Sequence, residues 1–364
     1  MKESECTAGS WQAAAGSRQW AKRQSAKCIG RSAESQAPDA MRHALCEAER
    51  VMRVAVMGSG GIGGYYGGKL AAAGEDVTFI ARGAHLKAIK RNGLQVNSVA
   101  GDFHVNAKAT DDPAAIGPTD LVLFCVKGYD TEAAAERIRP LVGRETAVLC
   151  LQNGVDNEEK LARILGKSRV LGGVVHILST ISAPGIINQV AGPRTLKCGE
   201  MDGGLSPRVT GIADVFVRAG VRAEASANIL VDLWEKFLFI CAQGGVTAVG
   251  RLGIGEILGC PETAQLYRGV MEEIAAVGRA KGVALPADAV DRAIAFAGTL
   301  QPGMRSSLAH DLERGNRLEV EALVGAVVRY GAELGVPTPL NFAIYACLLP
   351  HHRRALAARE VLAG

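Results

Sequence analysis

At 364 residues the chain is long enough for two hydrophobic cores, since single cores stop growing near about 250–300 residues, and its 48% hydrophobic and 21% charged residues describe a globular protein. The net charge of +4 owes +2 to residues 1–51, which hold eight Lys/Arg against six Asp/Glu, so the remainder is close to neutral and nothing demands nucleic acid or an anionic membrane as partner. Nine cysteines without a C-x-x-C pair, most of them in apolar runs (Cys125, Cys150, Cys241), read as small buried hydrophobes in a reducing, cytoplasmic compartment.

Residues 1–51 are rich in Ala, Ser, Arg and Gln, lack an apolar signal-type core and carry acids at Glu3, Glu5, Glu34 and Asp39, against a transit peptide. They are expected to form a disordered extension, and Met52 is a natural start for the first strand. Val54–Met57 predicts that strand, which meets a loop with Gly58, Gly60 and Gly63 in G-x-G-x-x-G spacing, and Ile62–Ala73 continues as a helix. In a strand, turn and helix of this kind the first glycine permits the turn. The second lets a pyrophosphate approach the backbone, the third lets helix and strand pack closely, and the helix N-terminus holds the anion. Gly58, Ser59, Gly60, Gly61, Ile62 and Gly63 are therefore the candidate dinucleotide cradle, against the plainer reading of a glycine-rich turn.

A second strand, Asp76–Ala81, ends at Arg82 and not at the acid that would bind a ribose 2′-hydroxyl, which favours NADP over NAD; the alternative is a solvated surface arginine. His85–Asn92 predicts a helix, and Leu94–Val105 an antiparallel excursion around Gly101. Leu121–Val126 and Ala147–Leu151 are continuously apolar, as parallel strands buried on both faces should be, with a helix over Thr131–Leu141 between them. Lys127 and Asn153 follow the carboxyl ends of these strands, where open α/β sheets place their ligands. Otherwise Lys127 is a loop charge and Asn153 a turn residue before Gly154. Val170–Glu224 predicts short strands with turns at Pro184-Gly185 and Gly192-Pro193. The longest uncharged stretch, Val170–Pro193, is broken by His176, Pro184 and Gln189, so no membrane span is expected.

From Ser226–Asn228 onward the pattern is helical, with helices expected at Ile229–Gln243, Thr263–Lys281, Asp288–Leu300, Ser307–Arg314, Leu318–Leu334 and Leu340–Leu349. The fold class expected is an α/β Rossmann-type N-terminal domain, residues 52–226, followed by an all-α C-terminal domain, residues 227–364. On the first of these helices Leu230, Leu233, Trp234, Phe237, Leu238 and Cys241 form one apolar face, and Lys236 lies at its edge. A partly desolvated lysine can serve as general acid to a carbonyl oxygen; a snorkelling surface lysine is the alternative. No His/Cys/Asp/Glu grouping has metal-ligand spacing, and His351-His352-Arg353-Arg354 reads as a solvated basic face. The apolar C-terminal helices suit either a core or a homodimer interface.

Five motifs in order, Gly58–Gly63, Val126-Lys127, Gln152-Asn153-Gly154, Leu233-Trp234-Glu235-Lys236, and Ser306-Ser307-Leu308 through Asp311 and Gly315 to Glu319, resemble the ketopantoate (2-dehydropantoate) reductase family over Met52–Leu349. The resemblance implies NADPH-dependent reduction of a small-molecule 2-oxo acid to a 2-hydroxy acid, as in pantothenate biosynthesis. It implies Lys236 as general acid, Glu319 holding Lys236 or the substrate hydroxyl, and Ser307 bonding the substrate. Asn153 would bridge cofactor and substrate, Lys127 would lie near the cofactor, and Arg82 would meet the 2′-phosphate. Without the resemblance Ser307 is a helix cap and Glu319 a solvated helix acid. Family members acting on ketopantoate typically carry asparagines four and eight residues after the lysine, where this chain has Ile240 and Gly244, with Gln243 adjacent. A related 2-hydroxy acid dehydrogenase for a less polar 2-oxo acid is therefore a second reading. A non-catalytic NADP-binding sensor is a third, opposed by the joint presence of Lys236, Ser307 and Glu319.

Overall fold

The structure, a computed structural model, describes residues 50–363, so the expectation of a disordered extension falls almost entirely outside the described residues. From Met52 the chain forms one compact unit. Its first half is a ten-stranded sheet: Arg53–Met57 (β1), Asp76–Ile80 (β2), Leu94–Ser98 (β3), Phe103–Val105 (β4), Lys108–Thr110 (β5), Leu121–Phe124 (β6), Ala147–Cys150 (β7), Val170–Ala183 (β8), Ile186–Glu200 (β9) and Arg222–Ala225 (β10). The order is β4-β3-β9-β8-β7-β6-β1-β2-β5, with β10 also against β9. The strands from β8 through β7, β6, β1 and β2 to β5 are mutually parallel, as right-handed crossovers through helices require. Period-2 alternation divides their side chains between two cores. Val54, Val56, Leu121 and Leu123 enter one, and Ala55, Met57, Val122 and Phe124 the other. Helices Gly61–Ala72 (α1), Gly83–Asn92 (α2), Thr131–Arg137 (α3), Asn157–Leu165 (α4) and Pro207–Arg218 (α5) belong to this half.

Two expectations fail in the region 170–224. It holds a long hairpin, β8 and β9, and not a series of short strands, and a helix, α5, stands where strand is expected. Pro184-Gly185 is indeed the hairpin turn, but Gly192-Pro193 lies inside β9. There the register against β8 passes from His176↔Thr195 to Leu178↔Ala191, and both Gly192 (φ 90°) and Arg194 (φ 57°) have left-handed backbone. This irregularity uses the residues of a turn to bend a strand without ending it. On its other side β9 pairs with β3 only through Gln189 and with β10 only from Thr195, so the missing N–H of Pro193 costs no ladder bond.

After β10 the described residues are helical: Ile229–Gly250 (α6), Ile254–Gly259 (α7), Pro261–Ala280 (α8), Ala289–Gly298 (α9), Ser307–Glu313 (α10), Val324–Leu334 (α11) and Pro339–Ala363 (α12). Among them none is long and apolar enough to cross a membrane. α6 packs through the apolar face expected of it, except that Leu230 is exposed. It runs seven residues past the expected end at Gln243, because Gly244-Gly245 serves as a close-packing site and not as a stop. A Cβ on Gly245 would lie 2.8 Å from Ile344 Cγ2 of α12. The helix ends at Arg251, which is left-handed at φ 57°. Leu318–Leu323, expected to be helical, is irregular and turned instead, and α11 begins only at Val324.

Candidate active site

The glycine loop joins β1 to α1, and the space around each glycine differs. Gly58 has φ +96°, and a Cβ on it would sit 2.8 Å from Val126 N; one on Gly63 would sit 2.2 Å from Gly58 O and 2.8 Å from Val56 Cγ1. Both are required by the turn and by helix-on-strand packing. Gly61 faces the β8 backbone, its Cβ position 2.0 Å from Ser179 O. Only Gly60 faces open space, with nothing within 4 Å. It is also the N-cap of α1, which has no side-chain cap and no acid in its first turn, so the positive helix end is left for an anion. A pyrophosphate fits this cradle. Ser59 is buried with its hydroxyl donated to Ile80 O at 3.3 Å, so only its backbone is available to a ligand, and Ile62 packs against the core on one face of the sheet.

Arg82 follows β2 as the N-cap of α2, and its side chain is 73% exposed; the Asp130 carboxylate approaches it only to 3.8 Å. Lys127, after β6, turns the other way. Its Nζ donates to Glu319 Oε2 at 2.7 Å and stands 3.7 Å from Asp311 Oδ2. Burial would lower the Lys127 pKa, but the Glu319 carboxylate, aided by Asp311, outweighs it and the net shift is upward. The ammonium expected near a cofactor is thus committed to two carboxylates.

Lys236 on α6 donates to Asn153 Oδ1 at 2.9 Å, joining the helical half to the loop after β7. Asn153 is in turn fixed through its carbonyl, which accepts from Asn157 Nδ2 at 2.9 Å. Burial lowers the Lys236 pKa to about 8, with Cys150, Glu158 and Glu319 pulling weakly upward. Glu319 does not bond Lys236: its Oε2 accepts from Lys127 and its Oε1 from Gly128 N at 3.0 Å. It is buried and outside any helix, which removes the reading of a solvated helix acid. The non-helical path of 318–319 is held by this Gly128 N–H and by His352, whose Nδ1 accepts from Leu318 N at 3.1 Å. His352 is therefore buried in a structural bond, not part of a solvated basic face.

Beside Asn153 and Glu319 lies a cavity of about 180 Å³, walled by Phe239, Ile240, Leu308 and Leu323 among others. Ser307 lines it, and the cap of α10 is its neighbour Ser306, whose Oγ accepts from Ala309 N at 3.0 Å, so the Ser307 hydroxyl is not needed as a cap. Gly244 leaves the wall to Leu308 and Leu323, whose nearest atoms are 3.6 and 3.5 Å from its Cβ position. Gln243 lines the cavity too, but its Oε1 accepts from the buried Tyr267 hydroxyl at 3.2 Å and its Nε2 donates to Met304 O at 3.4 Å. Among the described residues no group of three or more His, Cys, Asp and Glu could hold a metal ion.

Two supports of the site carry no sequence signal. Glu158 of α4 is buried, with the Cys150 thiol as its nearest polar contact and no hydrogen bond of good geometry, and burial pushes its pKa up to about 7. Nothing in the run Asn157-Glu158-Glu159 distinguishes the buried acid from its solvated neighbour. His85 Nδ1 accepts from Gly185 N at 3.0 Å, so its Nε2–H donates to Ser59 O at 2.9 Å, tying the glycine loop to the β8–β9 turn.

A family model described as ketopantoate reductase PanE/ApbA matches residues 54–203, and the corresponding C-terminal model matches residues 228–352. A 2-dehydropantoate 2-reductase of Mesorhizobium japonicum is 33% identical over 316 residues, 81% of this chain and 96% of that protein. One of Archaeoglobus fulgidus is 36% identical over 293 residues, 80% of this chain and 95% of that protein. The crystal structure of a PanE/ApbA family ketopantoate reductase from Ralstonia eutropha JMP134 superposes with a TM-score of 0.78 at 37% identity, covering 84% of this chain and all of that one.

Proposed function

The chain belongs to the ketopantoate reductase family of oxidoreductases acting on CH–OH groups, and from that premise we propose that it reduces a 2-oxo acid to the 2-hydroxy acid with NADPH. The observation that carries the reading is the 2.9 Å hydrogen bond from Lys236, which lines a neighbouring cavity beside His176, to Asn153, a wall residue of the cavity that also receives Ser307 and Glu319. In this reading residues 52–226 bind the dinucleotide and residues 227–364 bind the substrate. The dinucleotide's pyrophosphate rests on Gly60 and the N-terminus of α1, and the exposed Arg82 meets its 2′-phosphate.

A nicotinamide, when bound, supplies hydride to the carbonyl carbon. Lys236 gives its proton to the carbonyl oxygen, and its charge stabilises the oxyanion that develops there. Asn153 aims the ammonium by accepting one of its three N–H bonds. A pKa of about 8 leaves Lys236 protonated at neutral pH yet ready to part with the proton. Glu319, pinned by Lys127 and Gly128, contributes fixed acceptor oxygens at the cavity wall, its charge offset by Lys127, and Ser307 offers the substrate a hydroxyl.

The leading substrate is 2-dehydropantoate, giving pantoate for pantothenate biosynthesis. The apolar wall left by Ile240 and Gly244, with the Gln243 amide already engaged, supports a second reading in which the acid has a less polar side chain. A panel including 2-dehydropantoate and 2-oxoisovalerate, followed by NADPH and by NADH oxidation, decides. A preference of roughly a hundredfold in kcat/KM for 2-dehydropantoate retires the second reading, and the reverse preference retires the first. Failure of every 2-oxo acid with both nucleotides overturns the proposal, and an NADH preference overturns the role given to Arg82.

A further inference from the structure

A 2-oxo acid brings a carboxylate into the cavity, and the cavity must supply a cation or several donors for it. The groups available are few, and two of them, the Ser307 hydroxyl and the Asn153 amide, are neutral donors that bring no charge. Lys236 is held by Asn153 and serves the carbonyl oxygen in the proposed reduction, on which this inference rests. The Gln243 amide is spent on Tyr267 and Met304, and Ser306 caps α10 while sharing a 2.8 Å hydrogen bond with Thr247. Ile240 and Gly244 offer nothing polar. Asp311 and Glu319 line the wall, but Lys127 stands 3.7 and 2.7 Å from them and offsets their charge. Arg305 is the one cationic side chain among the described residues lining this cavity. It lies beside Ser307 and pairs with Glu313 at the far end of α10. The pair is partly open to solvent, with side chains 28% and 41% exposed, so it is screened and weak enough to exchange. The guanidinium fork suits a planar carboxylate better than any other side chain present.

We propose that Arg305 is the carboxylate-binding residue of this active site, and that it exchanges Glu313 for the substrate carboxylate when a 2-oxo acid enters. Arg305 then sets the requirement for a charged acid, while the apolar wall sets the side chain. Glu313 competes with substrate for the same guanidinium, so the two members of one ion pair have opposite effects on binding.

The test is steady-state kinetics of Arg305→Gln, Arg305→Lys and Glu313→Gln with the best acid of the panel and with its uncharged 2-oxo amide. Arg305→Gln should raise KM for the acid by roughly 30–100-fold with kcat within about threefold, and leave the amide unaffected. Arg305→Lys should recover part of the loss, and it keeps the test open if the glutamine variant folds poorly. Glu313→Gln should lower KM for the acid by about two- to fivefold. A merely structural ion pair predicts that Arg305→Gln and Glu313→Gln harm the enzyme alike, and that result overturns the inference, as does an unchanged KM in Arg305→Gln. If wild type turns over no 2-oxo acid, the functional reading falls first and this inference with it; if wild type is active and only the variants disagree, this inference alone falls.

Discussion

In the proposed reading Gly58–Gly63 meets a ligand with backbone, whereas α6 and residues 305–319 meet theirs with side chains. The loop works by omission. Three of its glycines are dictated by neighbouring backbone 2.0–2.8 Å from where a Cβ would be, and Gly60 alone keeps a space clear. The side-chain wall works by commitment: Lys236 to Asn153, Lys127 to Glu319, Glu319 to Gly128. A backbone cradle recognises a phosphate whatever carries it. A set of pre-paired side chains recognises one arrangement of reacting atoms. A phosphate-bearing ligand is therefore readable from the first wall alone, and substrate identity depends on details of the second.

Replacing Lys236 separates the walls most sharply. Lys236→Ala should lower kcat about a thousandfold or more while NADPH binding, followed by fluorescence, stays within twofold. Turnover within tenfold of wild type would end the general-acid assignment. The pH profile gives the same group a signature. With a pKa of about 8, the proton donor is lost as pH rises through 8, so the rate of reduction falls there and the reverse oxidation rises. Lys236→Arg should move that limb upward out of the accessible range.

The loop can be dissected within itself. Gly60→Ala adds a methyl group to open space where a phosphate should approach, so dinucleotide affinity should drop about tenfold or more while Tm falls only by the roughly 1–2 °C that a poorer N-cap costs. Gly63→Ala drives the same methyl into Gly58 O and Val56, and should cost roughly 1–3 kcal/mol of stability, a drop of several degrees in Tm. Equal thermal losses in the two variants would erase the distinction between a ligand-facing and a packing glycine.

The same contrast explains what the sequence disclosed. Runs such as Leu121–Phe124 and Ala147–Cys150 announce buried parallel strands because every side chain on both faces must be apolar, and the glycine spacing announces its loop because backbone geometry is local. Gly192-Pro193 misleads because a bulge and a turn call for the same residues, and only the pairing of β9 with β3, β8 and β10 tells them apart. Glu319 looks helical by pattern and is pulled out of a helix by a bond to Gly128, 191 residues away. Glu158 and His352 carry no local signal. Their roles come from which distant groups the fold brings to them.

Glu158 allows the smallest but most directional test of the side-chain wall. Its carboxyl is buried with only the weak Cys150 thiol beside it, and its pKa is raised from the ordinary 4.5 to about 7. Burial disfavours the ionised form, so folding loses stability as pH rises from 4.5, and the full penalty is reached above 7. Glu158→Gln removes the ionisation and keeps the shape. It should therefore raise Tm by roughly 2–5 °C at pH 8 and leave it unchanged near pH 4.5. Because the Glu158 charge also lifts the Lys236 pKa slightly, the same variant should move the kinetic limb of the reduction to lower pH. A Tm gain without a kinetic shift would mean that Glu158 and Lys236 are electrostatically independent. A Tm loss at pH 8 would mean that the folded state holds the carboxylate through an interaction stronger than its burial cost.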